Sequence, residues 1–131
     1  MQVHMLKSKI HQAVVTEANL NYIGSITIDI ALMEQANLYE NEKVEVADIN
    51  NGNRFSTYII AGERNSRIIC LNGAAARMVQ PGDQVIIMSY CILNTEEISD
   101  HKPVVLFMDK DNRIVSIKSQ ETPRETAGNL M

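Results

Sequence analysis

The sequence predicts a mainly β fold, a small barrel with a few short helices, and three observations carry that reading. Apolar and polar residues alternate over short runs, as in Ile26, Ile28 and Ile30 around Thr27 and Asp29, which is the period of a half-buried strand. Turn chemistry recurs at short intervals in Asn51-Gly52, Pro81-Gly82 and Gly82-Asp83. Helical stretches are few and brief, which argues against alternating helix and strand layers.

Taken in order, an N-terminal strand carries Lys9 and His11, two apart and on one face. Tyr22-Ile23-Gly24-Ser25 then turns into a strand over 26–30. Asp29 or Ile30 opens a short helix through 31–36, ended near Asn37. Lys43-Val44-Glu45-Val46 alternates again and runs into Asn50-Asn51-Gly52-Asn53, where Asn and Gly accept positive φ, so 54–61 is the returning strand of a hairpin. A strand over 67–71 follows, with Asn72 placed to cap a helix over 73–78. Pro81-Gly82 favours a type II turn before a strand over 84–92. Strands over 104–108 and 113–117 flank Asp109-Lys110-Asp111-Asn112 as a second hairpin. From Ser116 the chain turns polar, so residues 1–117 read as the folded domain and 118–131 as a flexible tail. No internal repeat at a fixed period is visible.

At 131 residues the chain fits one domain that buries its core without disulfides or a metal. Its net charge of −4 argues against a general nucleic-acid binder, which needs a basic face. Aromatics at 5%, with no Trp, leave little for base stacking. Cys70 and Cys91 lie in apolar runs with no C-x-x-C spacing, so they read as small buried hydrophobes in a reducing cytosol rather than metal ligands. Lys7 and Lys9 precede no apolar signal-peptide core, and no run approaches a membrane span. The expectation is a soluble cytoplasmic protein.

Three segments hold residues suited to chemistry. At Gly24-Ser25 a hydroxyl follows an unhindered carbonyl; its attack would convert the amide to an ester, and elimination and hydrolysis would leave a pyruvoyl group. Taken alone, Gly-Ser is an ordinary turn. Arg54 and Tyr58 differ by four, so in a strand they share a face; Arg forks onto a carboxylate, and a phenol is protonated at neutral pH. Thr57 falls on the opposite face, within reach of Gly24 if the strands adjoin. In Asn72-Gly73-Ala74-Ala75-Ala76 small side chains open the backbone, and the Asn72 amide can donate to a developing oxyanion. An Asn-capped, alanine-rich helix accounts equally for that segment by itself. Lys9 and His11 read either as cations for a second carboxylate or as a solvated strand edge. His4 and His101 have no partners visible in the sequence.

Joined in this order and spacing, these segments resemble the pyruvoyl-dependent aspartate 1-decarboxylase family. The resemblance runs from Met5-Leu6-Lys7-Ser8-Lys9-Ile10-His11 to about Met108. It takes in Tyr22-x-Gly24-Ser25, Glu40-Asn41-Glu42, Asn51-Gly52-x-Arg54-Phe55-x-Thr57-Tyr58, Leu71-Asn72-Gly73-Ala74-Ala75-Ala76-Arg77 and Gly82-Asp83. It implies a double-psi β-barrel, a homotetramer with active sites between subunits, and self-cleavage between Gly24 and Ser25. Ser25 then becomes the covalent pyruvoyl cofactor that forms a Schiff base with the substrate, L-aspartate, on the way to β-alanine for pantothenate synthesis.

By the same resemblance Tyr58 is the proton donor, and Thr57 binds substrate and assists cleavage. Gly73, Ala74 and Ala75 form the substrate-binding backbone, Arg54 and Lys9 bind carboxylates, and Asn72 lies near the ester. Metal, pyridoxal phosphate, nucleic acid and membrane are not implied; the need for an accessory processing protein stays open. Two departures stand out: Asn65 where the family often has Gly, tolerable because Asn accepts a left-handed backbone, and a tail beyond Ile117 that matches nothing. The alternatives are a catalytically silent barrel that binds a partner and a pyruvoyl decarboxylase of another amino acid.

Overall fold

Alternation of apolar residues produces nine strands among residues 1–126, the part of the chain described by the computed structural model. They are β1 (Gln2–Val14), β2 (Glu17–Asn19), β3 (Ile26–Asp29), β4 (Lys43–Asp48), β5 (Arg54–Gly62), β6 (Ile69–Asn72), β7 (Gln84–Asn94), β8 (Val104–Met108) and β9 (Ile114–Lys118). One α-helix, α1 (Ile30–Ala36), and two 3-10 turns, Gly73–Met78 and Thr95–Asp100, complete the set. No helix among the described residues is long and apolar enough to cross a membrane.

The strands pair in the order β2-β6-β3-β5-β4-β7-β1-β8-β9. β2 at one edge is the continuation of β1 at the other side, because only Val15 and Thr16 separate them. The Val15 N–H donates to the Asp83 carbonyl at 2.9 Å and the Thr16 N–H to the Ile69 carbonyl at 2.8 Å, so the strip closes on itself. β1–β8, β2–β6 and β3–β5 pair in parallel and the rest antiparallel. Closure buries Ile10, Ile26, Ile28, Ile59, Ile69, Leu71, Ile87 and Leu106 almost completely. Each such side chain contributes about 1.5–3 kcal/mol relative to exposure.

Two buried polar residues bind the irregular segments to this barrel. Asp29 caps α1 through the Ala31 N–H at 2.8 Å and also accepts from the N–H groups of Asn65 and Arg67. Those two residues have φ of 65° and 58°, so Asn65 takes the left-handed conformation that makes it an adequate substitute for glycine. Asn112, at φ 59°, imitates a strand partner: its amide accepts from the Val14 N–H and donates to the Val14 and Arg67 carbonyls.

Several boundaries differ from the sequence reading. The strand expected over 67–71 starts at Ile69, because the Arg67 N–H is committed to Asp29. Asn72 makes no side-chain cap bond, and the turn it opens is 3-10, not a capped helix; its amide points elsewhere, as described below. The three-residue β2 offers too short a pattern to read. The turn at 95–100 did carry a signal, the capping box of Asn94 with Glu97. β9 runs to Lys118, one residue past the expected domain end. Residues 119–126 form no strand or helix, and the rest of the expected flexible tail, 127–131, lies outside the described residues.

Asp48 should make the stability of the fold depend on pH. It is buried at the end of β4, where its Oδ1 accepts from the Asn50 and Asn51 N–H groups while Oδ2 has no partner. Burial first, and then the neighbouring Asp83 carboxyl, hold its pKa above the ordinary carboxylate value. A carboxyl whose folded pKa is raised favours the folded state at low pH. That advantage is lost as pH climbs from the ordinary carboxylate range through the raised value. Asp48→Asn, which can donate to Asp83 without ionising, should raise Tm at pH 7 by roughly 4 °C, the equivalent of about 1 kcal/mol, and flatten the acid-side slope. A lower Tm with the slope unchanged, read by thermal unfolding between pH 4 and 8, would refute the assignment.

Candidate active site

β3 and its two neighbours bring together the residues around Gly24-Ser25. Ser25 is buried, only 3% exposed, and holds φ at 88°. A β-substituted residue there is strained by about 1–3 kcal/mol unless its surroundings fix it. Asn72 supplies much of that fixing. Its backbone N–H donates to the Ser25 carbonyl at 2.8 Å, and its Nδ2 reaches Ser25 Oγ at 3.4 Å and Thr27 Oγ1 at 2.9 Å.

Gly73 follows with φ at 61°. A methyl group at Gly73 would lie 3.2 Å from Gly24 Cα, Gly24 N and the Tyr22 carbonyl, so a bare backbone is required for this approach. Ala74 and Ala75 extend the same small-residue turn.

β5 runs parallel to β3 on its other side, with Ile26 opposite Ile59. That register sets Thr57 and Tyr58 alongside the segment entering β3, as the sequence allowed for Thr57 and Gly24. A methyl group at Gly24 would come 3.5 Å from Tyr58 Oη, so the phenol adjoins the Gly24-Ser25 bond. Arg54 and Tyr58 are both exposed on β5 while Phe55 and Thr57 are less so, which puts the first two on one face, about 13 Å apart along the strand.

Lys9 is not part of this cluster in a single chain. It sits on β1 opposite Met88 of β7 and Val105 of β8, with β7 and β4 between it and β5. Its ammonium pairs with Glu121 at 3.1 Å, a partner the sequence did not reveal. His11, two residues on, packs edge-on against Phe107 with 5.5 Å between ring centroids. Burial, then Lys9, lowers its pKa, and its Nδ1 has no partner. His11 is therefore a neutral packing residue at neutral pH. Cys70 and Cys91 are free; Cys70 is buried and Cys91 partly so.

Ser25, Tyr58, Thr57, Asn72, Gly73 and Gly24 thus meet in one place, while Arg54 lies about 13 Å further along β5 and Lys9 lies apart. The arrangement can hold a serine hydroxyl and the carbonyl before it in fixed relation and present a phenol beside them. Sequence reading missed Thr27, whose place two residues after Ser25, at the start of β3, was the available signal.

The sequence profile described as aspartate decarboxylase matches residues 1–115. A relative from Clostridium kluyveri named aspartate 1-decarboxylase is 63% identical over 121 residues, covering 92% of this chain and 95% of that one. Another of the same name from Caldicellulosiruptor bescii is 60% identical over 125 residues, covering 95% and 98%. Among solved structures, the computationally designed protein msDPBB_sym2 matches at TM-score 0.41 and 16% identity, over 66% of this chain and 99% of that one. That likeness is too loose to bear on the fold, which rests on the strand pairing itself.

Proposed function

The chain belongs to the aspartate decarboxylase family, and from that premise we propose that it converts L-aspartate to β-alanine and CO₂, for pantothenate synthesis, using a pyruvoyl group made from its own Ser25. The observation that carries the reading is Ser25 itself: buried, at φ 88°, and tied by Asn72 at both its carbonyl and its hydroxyl. That is a serine held for reaction rather than one filling a turn.

In self-cleavage, Ser25 Oγ attacks the Gly24 carbonyl carbon, and the C–N bond breaks to leave an ester and a free amine. Loss of the Ser25 Cα proton and of the ester oxygen then releases the Gly24 carboxylate and leaves dehydroalanine. Water replaces its nitrogen, ammonia departs, and a pyruvoyl group remains at residue 25. Relief of the strained φ favours the first step, and Gly24 leaves its own carbonyl open to attack. Thr57, beside Gly24, assists this step in the proposal.

When formed, the pyruvoyl group supplies a carbonyl for the substrate amine and a sink for the electrons that departing CO₂ leaves behind. The chain's own residues do the rest. Gly73, Ala74 and Ala75 let the substrate lie against bare backbone. Arg54 grips the carboxylate that stays, which orients the other for departure. Tyr58 delivers the proton that the α-carbon takes in place of the lost carboxylate. The scheme calls on neither a metal ion nor pyridoxal phosphate.

Lys9 completes the carboxylate clamp only if a second protomer brings it to the site, which supports active sites between subunits; that the assembly is a homotetramer follows from the family resemblance alone. The proposal places the enzyme in the cytoplasm.

Substrate choice tests the reading. Aspartate should be decarboxylated in strong preference to glutamate and histidine. Arg54→Lys should lower kcat/KM on aspartate by about 10- to 100-fold, because a point charge cannot reproduce a bidentate fork worth roughly 1.5–3 kcal/mol per charge-assisted bond. Equal turnover of monocarboxylic amino acids by the unmodified enzyme would defeat the clamp while leaving the chemistry at Ser25 intact.

A further inference from the structure

The antiparallel register of β3 with β6 places Thr27 opposite Cys70, and beyond the Ile26–Leu71 pair that ends it the Asn72 N–H donates to the carbonyl of Ser25, the residue just before β3. Cys70 and Asn72 are two apart on β6 and share a face with Thr27, and the Ser25 hydroxyl meets them there through its contact with Asn72. Asn72 bonds to the other three. Its Oδ1 accepts from the Cys70 thiol at 3.1 Å, and its Nδ2 donates to Thr27 Oγ1 at 2.9 Å and to Ser25 Oγ at 3.4 Å. Ser25, Cys70 and Asn72 are all buried, so water does not compete for these bonds.

An asparagine amide can be turned over, exchanging its oxygen and nitrogen at little cost unless neighbours distinguish them. Asn72 has such neighbours. A thiol hydrogen calls for the amide oxygen, which forces the NH₂ toward the hydroxyls. Burial first, and then Glu17 opposite on β2, push the Cys70 thiol up to about 12, so it stays protonated and remains a donor. Turned the other way, Asn72 would set its Oδ1 against Ser25 Oγ and lose the N–H that holds that hydroxyl in place beside Gly24.

Resting on the self-cleavage reading above, we infer that Cys70 and Thr27 are positioning residues that together fix the Asn72 amide and so set the rate of cleavage at Ser25. Cys70 decides which way the amide faces, and Thr27 holds it there. Neither touches the Gly24-Ser25 bond in this role. A thiol is a weak donor, so each alone contributes modestly and the pair contributes more than either.

The test is a time course of cleavage after synthesis, read on denaturing gels for the whole protein and its variants. Cys70→Ala and Thr27→Val should each slow cleavage about two- to fivefold, and the double variant about tenfold or more. Cys70→Ser replaces the thiol donor with a hydroxyl donor and Thr27→Ser keeps the hydroxyl acceptor, so both should cleave near the unmodified rate, which a role in packing alone would not predict. Thermal unfolding in a Ser25→Ala background shows whether each variant folds. If the double variant does not, the single variants against their serine counterparts decide. Cleavage of the alanine and valine variants at the unmodified rate, or serine variants as slow as they are, would overturn the inference. An unmodified chain that never cleaves defeats the processing reading, and this inference with it.

Discussion

Ser25→Ala should remain one intact chain of 131 residues and form no β-alanine from aspartate. The substitution removes only the hydroxyl, from a residue 3% exposed, so the effect on packing is small. What disappears is the nucleophile for cleavage and the carbon skeleton's route to a ketone. Activity should fall to the background of the assay rather than by a graded factor. Asn72 keeps its backbone bond to the residue 25 carbonyl, so the variant should fold with a melting temperature close to that of the unprocessed parent. A Ser25→Ala protein that still releases CO₂ from aspartate would separate the activity from this residue altogether.

Tyr58→Phe should part cleavage from turnover. The phenol adjoins Gly24, but the acyl shift at Ser25 has no need of its proton. The variant should therefore process to fragments of 24 and 107 residues and yet lose kcat by roughly 100-fold or more, the usual scale for removing a general acid. Tyr58 is 40% exposed, so loss of its hydroxyl costs little stability. Processing is read on a denaturing gel, and β-alanine production is measured on the same sample. Unchanged turnover in a fully processed Tyr58→Phe protein would remove Tyr58 from the chemistry.

Much of this molecule is legible in its sequence because local rules decide it. Alternation about Ile26 and Ile28, the Asn50–Asn53 turn and the stop at Asn37 depend on residues close in the chain, and each appears where expected. Asn65 does take the left-handed backbone. Asn72 shows where local reasoning gives out. As a residue before a short helix it looks like a cap, yet β3 lies beside β6 and offers its amide Ser25 and Thr27 instead. Only strand order reveals that competition, and strand order is set by closure of the whole strip. Arg67 illustrates the same point, since a buried Asp29 38 residues away takes its N–H and delays the strand. Lys9 is legible as a cation but not as the partner of Glu121.

Denaturing mass spectrometry of the purified, unmodified protein tests the central claim most directly. The account predicts two species, residues 1–24 ending in a free carboxylate and residues 25–131 beginning with a ketone in place of the serine amine and hydroxyl. Borohydride should reduce the ketone of the larger piece and abolish activity together. A fully active enzyme that flies as a single uncleaved chain, with Ser25 intact, would contradict the account.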